Sequence, residues 1–385
     1  KGINLIEASR LLGVDIEALC GEKKVCGKCI VRIEEGNFEK YGVVSGMMNT
    51  SAWQPEVESK FINAENQAKG FRLGCVAKVE GNLLVFVPEE SRAGKQVVSK
   101  AARDIKIDWN PAVRLYYVQV VKPTFEDCLG DYERICKALA REYGLPEVLE
   151  VDTQTLRKLP VALRDGNYCV TVSVWNEKEV IRIQPGRVEH AYGIAIDVGT
   201  TTVAGYLCDL TNKEVINTAS MMNPQCKYGE DVMARITFHM TTPDGLQRMT
   251  DDIIEGLNEL IAKAVAETHP PLKKIKKKKG EEGPDEFIEA PEEGKTYLRL
   301  KVEDIEDITI GGNTAMHHIL LGLDPQFVGM APFPPVIHHS MDIRARDLGI
   351  KVNPSTYVFV LPNEAGFVGA DNVGVLICEE PYKSD

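Results

Sequence analysis

The chain lacks any run approaching the roughly eighteen apolar residues that a membrane-spanning helix requires. It also lacks a basic excess. Its 45 Lys and Arg stand against 57 Asp and Glu, a formal net charge of −12, so no global field draws it to nucleic acid. No signal peptide opens it, although it begins at Lys1 rather than Met and is expected to be cut there. Ten cysteines in 385 residues are too few and too unevenly spaced for a secreted disulfide scaffold, and they point to a reducing cytoplasm. What is left, 44% hydrophobic and 26% charged, is an ordinary globular composition, long enough for two or three domains.

Three of those cysteines crowd into one short stretch. "ALCGEKKVCGKCIVRIEEG" holds Cys20, Cys26 and Cys29, and the next thiol is Cys75 in "FRLGCVAKV". Disulfides, zinc and an iron–sulfur cluster compete for such a stretch, and a reducing compartment counts against the first. A structural zinc site more often shows two close pairs, and only Cys26 and Cys29 form one. Plant-type [2Fe–2S] ferredoxins use C-x4-C-x2-C with a distant fourth Cys; here the first gap is one residue longer, an interval other [2Fe–2S] ferredoxins use. Three thiolates on one tight loop wrap a cluster and a remote fourth closes it from a strand. Gly21 and Gly27 let the loop turn back and aim N–H groups at sulfur. The metal ligands expected are therefore Cys20, Cys26, Cys29 and Cys75.

The flanks agree. "INLIEASRLLGVDIEAL" has helical spacing, while "IVRIEEG", "VAKVEG" and "LLVFVPE" read as strands. Residues 1–90 resemble a plant- or adrenodoxin-like ferredoxin domain of β-grasp type. The strand pair that normally precedes such a helix is missing, which points to truncation. The other six cysteines fit no ligand pattern: Cys128, Cys136, Cys169, Cys208 and Cys378 are expected as buried structural thiols, and nothing near Cys226 makes it a nucleophile.

Residues 91–112 read as a linker. From 113 to 190 the pattern is a small α+β domain: strand "VRLYYVQV", helix "DYERICKALAREYG" ending at Gly144, a second helix after Asp152, then strands "YCVTVSVW" and "EVIRIQPG". It carries no catalytic constellation, and its expected role is to position the ferredoxin or to mediate dimerisation.

A second constellation begins at "YGIAIDVGTTTVAGYLCDL". Two strands joined by a Gly-Thr-rich turn make a hairpin. Its turn offers the N–H of Gly199 and the N–H and hydroxyl groups of Thr200, Thr201 and Thr202, an anion-binding concavity suited to a terminal phosphate. Asp197 is placed to hold Mg²⁺ through water. A satisfied Thr-rich hairpin explains the short motif alone, and no Lys follows the glycine as in a P-loop. Further on, "EDITIGGNTAMHHILLGLDP" reads as strand, turn and helix, with Gly311, Gly312 and Asn313 presenting amides near a phosphate. "TYVFVLPNEAGFVGADNVGVLI" repeats that plan.

This order resembles the first lobe of the ASKHA (actin/sugar-kinase/Hsp70-like) superfamily, over residues 191–385. The second phosphate loop and the adenosine site have no counterpart before Asp385, so half of the usual ATP site is absent. With "MMNPQCKYGEDVMARI" and the ferredoxin, nearly the whole chain resembles the reductive activators of corrinoid proteins. The fold implied is a multidomain α+β chain: an N-terminal β-grasp [2Fe–2S] ferredoxin, a small α+β middle domain and the first lobe of an ASKHA α/β domain. The resemblance implies a cytoplasmic, homodimeric, ATP- and Mg²⁺-dependent protein of anaerobic one-carbon metabolism. It would take an electron from a cellular donor and return a Co(II) corrinoid to Co(I) on a corrinoid iron–sulfur protein or a methyltransferase corrinoid subunit. Each ~59 mV of uphill one-electron transfer costs about 1.4 kcal/mol, which nucleotide hydrolysis would supply. Glu364 is the candidate for orienting the attacking water, since it sits where the Hsp70-like hinge has a similar Glu.

Two other readings stay open: a [2Fe–2S] electron carrier without ATPase activity, and a small-molecule kinase that leaves the cluster idle. His317 and His318 lie on an apolar helix, so one packed and one exposed histidine is expected rather than a metal site; His338 and His339 are read the same way. The basic run at 273–280, followed at once by an acidic stretch, could serve as a docking patch but reads rather as a solvated surface loop; the insertion 270–303 that contains it, where a short connection is expected, has no assigned function.

Overall fold

The computed structural model describes residues 2–12, 16, 24, 27–88, 91, 109–274, 287–292 and 294–380, with backbone alone at 10, 11, 274 and 287. Cys20, Gly21, Cys26, most of 91–112 and most of the basic run 273–280 lie outside the described residues. The chain divides into two compact units, Lys1–Val97 with Gln225–Phe238, and Val98–Pro224 with His239–Asp385.

In the first unit, helix α1 (Leu5–Leu11) precedes strands β1 (Ile30–Glu34), β2 (Gly36–Phe38) and β3 (Val43–Ser45). Short helices α2 (Pro55–Glu58) and α3 (Ala64–Ala68) then lead to β4 (Phe71–Leu73) and β5 (Leu84–Phe86). The central strand β1 pairs antiparallel with β4 and β5. It alternates sides as a half-buried strand must, sending Val31 and Ile33 into a core with Leu5, Ile6, Ile62 and Leu73. The expected strand "VAKVEG" is reduced to isolated bridges at Lys78 and Val79, because the chain turns at Gly74–Val76 instead of running straight through Cys75.

The second unit begins with a four-stranded sheet in the order β6 (Val113–Gln119), β8 (Cys169–Trp175), β9 (Glu179–Pro185) and β7 (Glu150–Val151). Helices α4 (Asp131–Tyr143) and α5 (Thr153–Asp165) cover one face. Gly144 ends α4 in the left-handed region at φ 70°, and the Asp152 carboxylate caps α5 by accepting from the Gln154 N–H, the two signals the sequence carried.

A six-stranded sheet follows, in the order β12 (Glu214–Met222), β11 (Thr202–Asp209), β10 (Tyr192–Val198), β15 (Ile305–Gly312), β17 (Tyr357–Val360) and β16 (Met341–Arg344). The first three strands are antiparallel, β10, β15 and β17 are parallel, and β16 is an antiparallel edge. Helix α6 (Val232–Thr241) belongs for most of its length to the first unit; α7 (Gly245–Ala266) belongs to the second, and its buried face holds Met249, Ile253, Leu257, Leu260 and Ile261. Strands β13 (Leu272–Lys274) and β14 (Phe287–Glu289) pair antiparallel within the charged insertion. Helix α8 (Thr314–Leu320) follows β15, and α9 (Ala370–Glu379) follows β17.

The two sheets of this unit meet at a joint made of charges. Arg182 of β9 pairs with Asp304 and Glu306, at 2.7 and 2.9 Å. Arg344 pairs with Glu179, and Arg346 with Asp152. Glu179 also accepts from the Tyr357 hydroxyl at 2.8 Å, and Trp175 stacks on Tyr357 with ring centroids 4.0 Å apart. Because Asp152, Glu179 and Glu306 are all buried, removing one partner would leave a stranded charge.

Candidate functional sites

The β1–β4 register builds the first site. Ile30 stands opposite Leu73, so Cys29, one residue before β1, and Cys75, two beyond β4, arrive at the same end of the pair. Their sulfurs lie 3.4 Å apart, much farther than a disulfide's ~2.05 Å, and both are buried. The Cys75 side chain hydrogen-bonded to it, outweighing burial, draws the Cys29 thiol down to about 7. Gly27 sits at φ +67°, and a Cβ there would meet the Phe61 ring at 2.4 Å, so the loop next to Cys29 needs glycine for both conformation and room.

The strand leading to Cys75 is held by a sealed network. Arg72 and Glu58 are 1% and 0% exposed. Arg72 donates to both Glu58 oxygens, at 2.8 and 3.1 Å, and to Thr50 Oγ1, the Ser51 carbonyl and the Ala52 carbonyl. Glu58 Oε1 accepts in addition from the Leu73 N–H. All five guanidinium donors are thereby used. The two thiols, their shared end and the glycine beside them suit a thiolate-ligated cluster. Among the described residues no group of three or more His, Cys, Asp or Glu could hold a metal.

The second site forms where three turns converge at the ends of β10, β15 and β17. Parallel pairing sets Asp197 beside Gly311 and Val198 beside Gly312. The hairpin turn closes through the Gly199 N–H to the Thr202 carbonyl at 3.1 Å. Asn313 ties the second turn to the first: its Nδ2 donates to Thr200 Oγ1 at 2.9 Å, while its Oδ1 caps α8 by accepting from the Met316 N–H. The third turn is close-packed on the second. A Cβ on Gly369 would come 2.5 Å from Asn313 Cα, and Thr314 Oγ1 donates to the Ala365 carbonyl. Asp197, Gly199, Thr200, Thr201, Thr202, Gly311, Gly312 and Asn313 are thus brought together. Glu364 is next to Ala365 and exposed; its carboxylate makes no hydrogen bond or ion pair among the described residues.

Two contributors escaped the sequence reading. Asn223, fully buried, donates from its Nδ2 to the Gly199 carbonyl and from its N–H to the Thr201 carbonyl, both at 2.8 Å. It lies within "MMNPQ", where a lone Asn ahead of Pro signals only a turn. The other is Asp371, in the first turn of α9. Loss of solvation first, and the Asp371 carboxylate second, hold the Asp197 carboxyl above its ordinary range, although the side chain opens to solvent.

The histidine expectation needs correction. His317 and His318 are both buried, at 4% and 0% exposure. His318 Nδ1 bonds the Thr314 carbonyl and its Nε2 accepts from the Val336 N–H, a neutral ring with both nitrogens satisfied. Burial pushes His317 down to about 4, and neither of its ring nitrogens has a partner among the described residues. Both His338 and His339 are exposed. Cys128 and Cys378 are exposed as well, against the expected burial, because Cys128 lies in the loop before α4 and Cys378 on α9, which buries only Ala370.

Comparison with known proteins gives the first site its class. Residues 2–80 match a family described as a 2Fe-2S iron-sulfur cluster binding domain, which makes the chain a multidomain iron–sulfur protein. One subunit of the Na(+)-translocating NADH-quinone reductase of Haemophilus influenzae (strain PittEE) shares 32% identity over 96 residues, 23% of this chain and 20% of that one. The remainder matches two further families, the RACo linker region at 102–190 and the RACo middle region at 192–278 and 293–384. The corrinoid activation enzyme RamQ of Eubacterium limosum is 26% identical over 376 residues, 95% of this chain and 51% of that protein. A solved reductive activator for corrinoid, iron–sulfur protein aligns over 100% of this chain and 56% of its own, with a TM-score of 0.58 and 26% identity. The chain belongs to the family of reductive activators of corrinoid proteins. It spans about half the length of these two relatives. No helix among the described residues is long and apolar enough to cross a membrane.

Proposed function

We propose that the chain serves the ATP-dependent reductive activation of a corrinoid protein, delivering one electron to a Co(II) corrinoid to give Co(I). The domain plan proposed is ferredoxin at 1–90, linker at 91–112, middle domain at 113–190 and the first lobe of an ASKHA domain at 191–385. The observation that carries the reading is the presence, in one chain aligned along 95% of its length with a corrinoid activation enzyme, of a buried thiol pair and a separate set of converging amide turns. Cys20, Cys26, Cys29 and Cys75 would hold a [2Fe–2S] cluster, which when bound supplies one-electron transfer. The β1–β4 register brings Cys29 and Cys75 to one end of the pair, and the Arg72–Glu58 network fastens the strand that leads to Cys75.

At the second site the Gly199–Thr202 turn and the Gly311–Asn313 turn would bind phosphate oxygens through backbone N–H groups. Asp197 and Asp371 would take Mg²⁺ through its waters, as a cation lets two neighbouring carboxylates ionise side by side. Glu364 is the proposed group for orienting the attacking water. The sheet order, antiparallel hairpin first and parallel strands after, supports the ASKHA assignment. The partner would be a corrinoid iron–sulfur protein or a methyltransferase corrinoid subunit, served by a cytoplasmic homodimer.

The test uses the full-length protein with its cluster reconstituted anaerobically, mixed with a Co(II) corrinoid protein and a reductant. Co(I) absorption is expected to grow with Mg-ATP and to stay flat without it. Equal rates with and without nucleotide would overturn the ATP-driven reading in favour of a plain electron carrier.

A further inference from the structure

The chain leaves the second unit after Pro224 and returns to it at His239; the stretch between, Gln225–Phe238, belongs to the first unit. That stretch is stiff. Arg235, wholly buried in α6, donates to the Gly229 carbonyl at 3.0 Å, to Gln225 Oε1 at 3.2 Å and to Cys226 Sγ at 3.5 Å, closing the segment on itself. A Cβ on Gly229 would come within 2.6 Å of Ala234 Cβ. The Tyr228 and Phe238 rings stack with centroids 4.5 Å apart. A segment with so little slack passes a displacement at its ends to its middle.

Each end is fastened to a different turn of the second site. In front of the segment, Asn223 holds the Gly199 and Thr201 carbonyls of the hairpin turn, and only Pro224 separates it from Gln225. Behind it, the last turn of α6 carries His239, whose Nε2 bonds Asp324 Oδ1 at 2.9 Å. The neighbouring Leu323 N–H donates to the His318 carbonyl at 2.8 Å. Asp324 is thereby tied to α8, the helix that Asn313 of the second turn caps.

We propose that Gln225–Phe238 is a strap through which a nucleotide on these two turns restrains the first unit, an inference that rests on the nucleotide reading above. A ligand that draws the turns together moves both ends of the strap at once. Because the strap is part of the first unit, that movement is passed to the body that carries Cys29 and Cys75. Such coupling is reciprocal, so the arrangement of the first unit biases nucleotide affinity by the same factor.

Hydrogen–deuterium exchange of the full-length, cluster-loaded protein with and without saturating Mg-ADP tests this. Mg-ADP is expected to slow exchange at 199–202 and 311–313 and, at least threefold, in 225–238, β1 and β4. Arg235→Met and His239→Ala are each expected to keep the protection of both turns and to lose that of β1 and β4. His239 is only half-buried, so His239→Ala decides alone should Arg235→Met fail to fold. Protected turns with β1 and β4 unchanged in the parent would overturn the strap and leave the nucleotide reading standing. A folded variant that still protects β1 and β4 would overturn the strap as well. Turns left unprotected by Mg-ADP would overturn both.

Discussion

The thiol end of the first unit and the turn cluster of the second both gather residues far apart in sequence, yet they are held by opposite means. Around Cys75 the scaffold is ionic and sealed: Arg72 and Glu58 are wholly buried and bonded to each other and to the backbone. Around Gly199 it is neutral and open. Asn223 and Asn313 brace the turns with uncharged amide hydrogen bonds, and Asp197 faces solvent. A group that stays needs ligands that cannot wander. A nucleotide bound as proposed would come and go, and would need donors that can be resolvated when it leaves.

The comparison can be broken at its thiol end first. Cys75→Ala is expected to abolish the visible absorption of the reconstituted chain while leaving nucleotide binding intact; an unchanged spectrum would refute the ligand assignment. Arg72→Ala strands Glu58 in the core, for which a loss of about 3–5 kcal/mol is the usual scale, read from urea unfolding of the first unit. A loss under about 1 kcal/mol would mean that the network is not what anchors the strand.

The turn cluster sits on a strand with a weakness of its own. Burial, against a hydrogen bond from the Ile308 N–H and with Asp342 nearby, pushes Asp307 of β15 up to about 6. Its folded value therefore exceeds its unfolded one, so its contribution favours folding at low pH and is lost as pH rises through about 6. Asp307→Asn is accordingly expected to add up to roughly 3 kcal/mol at pH 7 and to flatten the stability profile between about pH 4 and 6. A parallel profile for variant and parent would contradict this. Asn313→Ala gives the smallest effect, about 1 kcal/mol for the lost cap of α8. It should nonetheless weaken Mg-ADP binding, since the same side chain ties two turns together; equal affinity would detach Asn313 from the site.

How far the sequence could be read follows from how local each signal is. The hairpin at Gly199, the cap at Asp152 and the stop at Gly144 are written within a few residues, and each stands where expected. Cysteine spacing pointed to Cys29 and Cys75 because a thiol has few reasons to keep such intervals. The Arg72–Glu58 pair had no such mark, since its members lie fourteen positions apart, on either side of α3, and only the fold closes them. Asn223 and Asp371 were hidden likewise: each is a common turn or helix-start residue until a neighbouring strand arrives. The burial of both His317 and His318 was misjudged because helical period assigns one face to the core, whereas α8 is covered all round.

The charged joint between the two sheets of the second unit has a calorimetric meaning. Buried pairs are screened far less by salt than surface ones, and Arg182, Arg344 and Arg346 each cross between segments that would otherwise form separate cores. A small sheet with two helices fastened in this way cannot melt on its own without exposing stranded carboxylates. Residues 113–190 should therefore share a single heat-absorption peak with the six-stranded sheet, at low and at high ionic strength alike.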